Sequence, residues 1–470
     1  MEGSTIAAIA TPDGFGGVGI IKVSGPKALG IAVSVFRPGR CDPDSGAGLP
    51  AVAPESLVSW RLYYGHIIDP RDSRIIDEVI LAVMKAPNSY TREDVVEIQA
   101  HSGPRVLYSI LDLLISRGAR PAQPGEFTRR AFLNGRIDLT QAEAVADLIN
   151  ATSDAAVDMA VSQVSGGLKS FFDPVRDSLL SVLGFIEAAI DFPDAVGEEI
   201  DTNGLISILS DRVLEPAGEL IESYNAGRFL REGVKAVIAG GPNVGKSSLM
   251  NRLINRERAI VTDIPGTTRD CIEASLRAGG ANVVLTDTAG LRDDPEPIER
   301  LGIEKTHEYI NCADIVLLVV DICRGAGSQD LLLYRRLPRG RKIVVINKSD
   351  LSDCHEDFEL PSEFKESPLV YVSALTGEGV DLLITEIANM VSEPGTFPTP
   401  GFVPNWRQKT QLDRMHRSVI RAVEALGQGL SPELISIDLR EAISAVDEIT
   451  GRFVAPEVLD RIFSNYCIGK

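Results

Sequence analysis

The chain has 470 residues, 44% of them apolar and 24% charged, with a formal net charge of −19. That length provides for two to four domains with sizeable cores. The acidic balance excludes a protein that wraps nucleic acid by its own charge, because phosphate binding rests on Lys and Arg.

The N-terminal stretch Met1-Glu-Gly-Ser-Thr-Ile-Ala-Ala lacks a basic segment and a long apolar segment. A cytoplasmic rather than secreted protein is therefore expected. Residues 1–120 carry strand-like runs at Thr5–Ala10, Gly19–Val23, Leu62–His66, Glu78–Val83 and Asp94–Ile98, with a helix over Val106–Ile115. Turns rich in Gly, Pro, Asn and Asp separate them, so this region is expected to be α+β.

From about residue 125 the texture is helical. Thr140-Gln-Ala-Glu143 has the form of a capping box. Val157, Val161, Val164 and Leu168, then Val175, Leu179, Val182, Ile186 and Ile190, fall at helical spacing. Residues 231–393 alternate short apolar strands with helices, the doubly wound α/β pattern. A Pro- and Gly-rich linker over 394–404 follows, and helical spacing returns with Leu412, Met415, Val419, Val423 and Leu426. The expected organisation is a helical domain in two parts, 121–230 and 394–470, interrupted by an inserted P-loop domain over 231–393. No run of about 18 apolar residues predicts a membrane span. Cys41, Cys271, Cys312, Cys323, Cys354 and Cys467 lack C-x-x-C spacing, which predicts reduced thiols rather than disulfides or zinc.

The inserted domain carries the chemistry. Gly240-Gly241-Pro242-Asn243-Val244-Gly245-Lys246-Ser247 is a G-x-x-x-x-G-K-[ST] loop between a strand and a helix that continues at Ser248. Its glycines let backbone N–H groups turn toward phosphate oxygens, Lys246 reaches the β- and γ-phosphates, and the Ser247 hydroxyl can ligate Mg²⁺. The helix N-terminus adds partial positive charge. A later strand ends in Asp287-Thr288-Ala289-Gly290, where Mg²⁺ needs an outer-shell carboxylate and Gly290 can donate its N–H to the γ-phosphate. Between them, Thr262-Asp263-Ile264-Pro265-Gly266-Thr267-Thr268 has the form of a switch segment, with Thr268 completing the Mg²⁺ shell. Asn347-Lys348-Ser349-Asp350 follows another strand, and Asp350 would accept hydrogen bonds from the guanine N1–H and exocyclic amine. Adenine offers neither donor and would leave the carboxylate unpaired, so GTP is selected over ATP. Ser373-Ala374-Leu375 supplies a backbone N–H for the guanine oxygen.

Two features depart from small signalling GTPases. Leu291 stands where those proteins place a water-orienting Gln, and leucine cannot orient water. Asn243 lies inside the phosphate loop, where it either shapes the loop or, with oxygens of the 262–267 segment, holds a K⁺ beside the β/γ bridge.

Outside the nucleotide motifs stand Asp13-Gly-Phe-Gly-Gly-Val-Gly19, Ser89-Tyr-Thr-Arg-Glu-Asp94, Gln99-Ala-His-Ser-Gly-Pro104, Pro124-Gly-Glu-Phe-Thr-Arg-Arg-Ala-Phe-Leu-Asn134, Asp138-Leu-Thr-Gln-Ala-Glu-Ala144 and Cys467-Ile-Gly-Lys470. With these segments the chain resembles, end to end, the MnmE (TrmE) family of tRNA-modification GTPases. The resemblance implies a folate-binding domain over 1–120 that also dimerises, an all-α domain and a Ras-like G domain. It implies a homodimer that acts with the flavin protein MnmG on the wobble uridine of certain tRNAs, with methylene-tetrahydrofolate as one-carbon donor. It further implies K⁺ held by Asn243, Thr262, Ile264 (backbone) and Thr267, Mg²⁺ held by Ser247 and Thr268, and Glu299 as the water-orienting group. Contacts to a tetrahydrofolate derivative, 5-formyl or methylene, fall on Lys22, Glu97, Arg136 and Lys470, with Cys467 as a thiol near that site. Lys22 stands where the family pattern has arginine, so the charge is kept and the bidentate fork is lost. The alternative from another class is a GTP-regulated ribosome-assembly or membrane-associated switch protein, which would carry a basic appendage or a lipid-facing segment.

Overall fold

The computed structural model describes residues 3–12, 14–39, 53–192, 201–256, 273–278, 281–287, 313–337, 342–351, 360–391, 401–464 and 466–470. The chain divides into two compact units. The first comprises Met1–Ala146, Leu168–Arg176 and Ile443–Lys470; the second comprises Asp147–Gly167 and Asp177–Ala442.

The first unit is built on a seven-stranded sheet in the order β3-β4-β5-β6-β2-β1-β7. Its strands are β1 (Ile6–Ile9), β2 (Gly16–Ser24), β3 (Phe36–Pro38), β4 (Arg61–Asp69), β5 (Arg74–Met84), β6 (Val95–Ser102) and β7 (Arg120–Pro121). Alternation sets the two faces. Ile21, Val23, Leu81, Val83, Val96, Ile98 and Ala100 are buried under helices α1 (Ala28–Val35) and α2 (Pro104–Ser116). The intervening residues Lys22, Glu97, Gln99 and His101 lie on the opposite face. The expected strand runs and the helix at 106–115 are all present; β3 and β7 are too short to show periodicity.

Helices α3 (Glu126–Leu133) and α4 (Leu139–Asn150) complete this unit's described middle. A charged relay fastens α3 to β2. Arg120 and Arg130 both bond Glu126, Arg130 Nη1 donates to Glu93 Oε2 at 2.8 Å, and Ser24 Oγ donates to the same oxygen at 2.8 Å. The capping box of α4 lies two residues earlier than expected. Asp138 Oδ1 accepts from Gln141 N at 2.9 Å while Gln141 Oε1 accepts from Asp138 N at 3.1 Å. Thr140 instead donates its hydroxyl to Asp138 Oδ1 at 2.6 Å. Aspartate is the better N-cap acceptor, and it takes the cap from the threonine inside the first turn.

The second unit contains a six-stranded sheet in the order β13-β12-β11-β8-β10-β9. Its strands are β8 (Val234–Gly240), β9 (Glu273–Ala278), β10 (Ala281–Asp287), β11 (Ile315–Asp321), β12 (Lys342–Asn347) and β13 (Leu369–Val372). Five run parallel, and β9 pairs antiparallel with β10 at the edge. The central strands are apolar on both faces, as a sheet covered by helices requires: every residue of β11 and β12 is buried. This is the expected α/β architecture.

The same unit holds α5 (Asp154–Val164), α7 (Thr202–Leu209), α8 (Glu215–Glu232) and α10 (Trp406–Gly427), with α10 packed on α7 and α8. α6 spans Gly167–Asp191. The buried face of α5 is Ala156, Met159, Ala160 and Gln163, whereas Val157 and Val161, expected inside, are exposed. Gln163 wins a core position because its Nε2 donates to Val403 O at 2.5 Å. Cys323, just after β11, is disulfide-bonded, which corrects the expectation of reduced thiols throughout. Spacing along the chain does not report which loops meet in space. Cys467 is free and exposed.

Candidate functional site

The G-x-x-x-x-G-K-S segment leaves β8 at its carboxyl end, between β10 and β11. Gly240 has φ +144°, and a Cβ there would lie 2.3 Å from Val319 O. Gly245 has φ +96°, and a Cβ there would lie 2.2 Å from Asn347 Nδ2. Neither position admits a side chain. Asn243 sits at φ +63°, a left-handed conformation that Asn tolerates better than most residues. Loop shape alone is therefore a sufficient reason for an Asn at this position.

Helix α9 (Lys246–Arg256) begins at the end of this loop. Lys246 is buried, and its Nζ donates to Gly240 O at 3.1 Å and Gly241 O at 2.8 Å. The ammonium thus spans the mouth of the loop, and Ser247 stands exposed in the first helical turn. Left-handed glycines, a crossing lysine and a helix N-terminus form a cradle that fits a phosphate group.

The base side is tied to this cradle through one residue. Asn347 is buried at the end of β12; its Nδ2 donates to Val244 O at 2.8 Å, and its Oδ1 accepts from Ala374 N at 3.0 Å. Asp350 Oδ1 accepts from Ser373 Oγ at 2.6 Å. Lys348, at φ +68°, places Nζ 2.5 Å from Asp321 Oδ2. Ser349 N donates to Val372 O at 3.1 Å. The result is an open cavity of about 550 Å³, lined by Gly245, Ser248, Asn347, Lys348, Asp350 and Leu375 among others. A hydrogen-bonded carboxylate at the wall of a cavity of this size is suited to a planar base with adjacent N–H donors.

The structure therefore brings together Asn243–Ser248, Asn347–Asp350 and Ser373–Leu375. Asp287 closes β10, and its side chain lies outside the described residues, as do Thr262–Thr268, Thr288, Ala289, Gly290, Leu291 and Glu299. Arg252, which also lines the cavity, was not anticipated. Its position four residues after Ser248 on α9 was the available signal, since that spacing shares a helix face.

On the outer sheet face of the first unit, Lys22 and Glu97 are register partners on β2 and β6, with Nζ and Oε1 3.9 Å apart. Burial pushes the Lys22 ammonium below the usual lysine range; Glu97 opposes that shift and Lys470 reinforces it. Lys470 is held close because Phe127 N donates to its carbonyl at 3.1 Å, and because Gly469, at φ +93°, passes where a Cβ would be 2.5 Å from Ile9 O. Cys467 O accepts from Gly125 N at 3.4 Å. Lys22, Glu97 and Lys470 thus share one electrostatic neighbourhood. Arg136 makes its contacts with Tyr90 instead: its guanidinium lies 4.7 Å from the ring centroid and donates to Tyr90 O at 3.0 Å. A half-buried carboxylate beside an ammonium fits a heteroaromatic group that carries both donors and acceptors. Among the described residues no cluster of three or more His, Cys, Asp or Glu could hold a metal ion, and no helix is long and apolar enough to cross a membrane.

Sequence comparison adds to this geometry. The MnmE helical domain profile matches residues 139–467, and that of the GTP-binding protein TrmE N-terminus matches residues 5–136. The chain is similar to proteins named tRNA modification GTPase MnmE. It is 42% identical to that of Carboxydothermus hydrogenoformans over 474 residues, 44% identical to that of Symbiobacterium thermophilum over 472, and 43% identical to that of Heliobacterium modesticaldum over 479. In each case 100% of both chains is covered.

Proposed function

Because the chain belongs to the MnmE family of tRNA modification GTPases, we propose that it hydrolyses GTP and that this hydrolysis drives a tRNA modification carried out elsewhere in the molecule. The observation that carries the reading is Asn347, which ties the phosphate loop at Val244 to the base loop at Ala374. One buried amide thereby sets the spacing between the two ends of a nucleotide.

In this reading Lys246 exchanges its two loop carbonyls for β- and γ-phosphate oxygens. Asp350, oriented by Ser373, accepts the guanine N1–H and 2-amino group. Ala374 N is already engaged by Asn347, so Leu375 N–H is the donor for the guanine oxygen. Mg²⁺ on Ser247 and Thr268, and K⁺ on Asn243, Thr262, Ile264 and Thr267, would supply positive charge as the β–γ bond breaks. Glu299 orients the attacking water. The finer assignment extends to 1–120 as the folate-binding and dimerising domain, 121–230 and 394–470 as the helical domain, and 231–393 as the G domain. There Lys22, Glu97, Arg136 and Lys470 hold a tetrahydrofolate derivative that supplies one carbon, with Cys467 nearby. A homodimer working in the cytoplasm with the flavin protein MnmG then modifies carbon 5 of the wobble uridine.

The test measures GTP hydrolysis in K⁺ and in Na⁺, with and without Glu299→Ala. Faster turnover in K⁺, lost in the alanine variant, is expected. Equal rates in the two salts would remove the K⁺ assignment, and a fully active variant would remove Glu299. Mass spectrometry of tRNA nucleosides from a strain lacking the chain then tests the modification itself.

A further inference from the structure

Arg252 lies half-buried on α9, six residues after the phosphate-loop lysine, and turns its guanidinium toward the loop that follows β13. Its Nε donates to Ala374 O at 3.1 Å, and its Nη2 donates to Leu375 O. Two consecutive carbonyls are therefore held by one rigid fork.

The consequence follows from peptide geometry. In a planar trans peptide the C=O and the following N–H point in opposite directions. The Ala374 carbonyl belongs to the same peptide plane as the Leu375 N–H. With that carbonyl turned to Arg252, the N–H is turned the other way. A hydrogen bond accepted by the carbonyl also polarises the peptide and strengthens its N–H as a donor. The next plane is fixed on both sides, because Leu375 O is held by Arg252 and Thr376 N donates to Ser373 Oγ at 3.0 Å. Leu375 N–H itself has no partner among the described residues, and Leu375 lines the base cavity.

We infer that Arg252 is a positioning residue for base selection: it presents the Leu375 N–H to the oxygen at position 6 of the purine. Selection is thereby divided between two groups. Asp350 reads the 1- and 2-positions, and the Arg252-held peptide reads the 6-position. This rests on the GTP reading of the site and goes beyond it by assigning half of the purine specificity to a side chain that acts through the carbonyls of Ala374 and Leu375.

The test is a set of equilibrium dissociation constants on the full chain for GDP, inosine diphosphate and 6-thioguanosine diphosphate. Inosine lacks only the 2-amino group, and the thio compound weakens only the 6-position acceptor. Wild type is expected to prefer GDP over both. In Arg252→Ala the preference over the thio compound shrinks by about three- to tenfold, the worth of one neutral hydrogen bond, while the preference over inosine diphosphate stays within about twofold. Arg252→Lys keeps the charge but not the fork, so it falls between; it carries the same test if the alanine variant does not fold. An unchanged 6-position preference overturns the inference. So does an equal loss of both preferences, which marks general support of the pocket. Failure of the wild-type chain to prefer GDP overturns the GTP reading itself and the inference with it.

Discussion

Asp350 meets the base cavity with one carboxylate oxygen already engaged by Ser373, so its orientation is set before any ligand arrives. Asp350→Asn is expected to weaken GDP binding on the order of a hundredfold, since two bonds to a charged acceptor are lost, and to gain affinity for xanthosine diphosphate, whose 2-oxo group the new amide can serve. Competition binding with the two diphosphates checks both directions. Two histidines titrate in opposite senses for equally local reasons. The hydrogen bond His101 Nδ1 makes to Asp77 Oδ1, at 2.7 Å, raises the imidazole's pKa, with the charges of Asp77 and Glu78 adding to it. Any stability it contributes is present below the free value of 6.5 and fades as pH rises through the folded value. Burial lowers His416, against the pull of Asp413; its contribution is present above the free value and fades as pH falls through the folded value. NMR titration should therefore show His416 losing its proton at lower pH than His101, and Asp77→Asn should return His101 toward 6.5. Motif residues such as Lys246 and Asp350 were legible from sequence because chemistry fixes their identity and spacing. Arg252 was not, because its work is done through carbonyls that any residue carries.

Elements were readable where periodicity was long. β8, β10, β11, β12 and β13 supply the short apolar strands expected over 231–393. The antiparallel edge strand β9 carries Glu273-Ala-Ser-Leu-Arg-Ala278, too polar to announce itself without its partner β10. Helix ends were harder, because several polar residues compete for each cap. At α4 the competition was won by Asp138, and Asp138→Ala should lower the unfolding free energy by about 1 kcal/mol, with Asp138→Ser recovering most of it. Denaturant unfolding of the two variants decides this; a neutral Asp138→Ala would return the cap to Thr140. Helix α5 shows the other limit of periodicity. Its valines satisfied the apolar pattern, yet a glutamine with a buried carbonyl partner took the inward face. Burial rewards satisfied hydrogen bonds as well as apolar area, and only the folded chain shows which are satisfied.

At the scale of the molecule, the net charge of −19 sets an expectation about nucleic acid. The chain by itself should retain tRNA poorly in filter binding at physiological salt, and retention should rise when a basic partner is added. Tight, salt-sensitive binding by the chain alone would instead require a local basic face. The alternation of α+β, helical and α/β textures along the sequence was legible from composition and period. That Ile443–Lys470 belongs with the first 146 residues was not, because the contacts that join them, such as Phe127 N to Lys470 O, are separated by more than 300 positions.

That interleaving has a consequence for synthesis. A ribosome makes residues 1–146 first but cannot deliver Gly469, which packs against Ile9, until the whole second unit has emerged. At roughly 5–20 residues per second, the intervening 147–442 take about 15–60 s to make. At the end of that interval the nascent first unit still lacks its closing segment, while the second has every residue it needs to fold. The nucleotide unit should therefore mature before the sheet that precedes it in the message. Ribosome-stalled chains ending near residue 442 should bind GDP while remaining protease-sensitive over their first 146 residues.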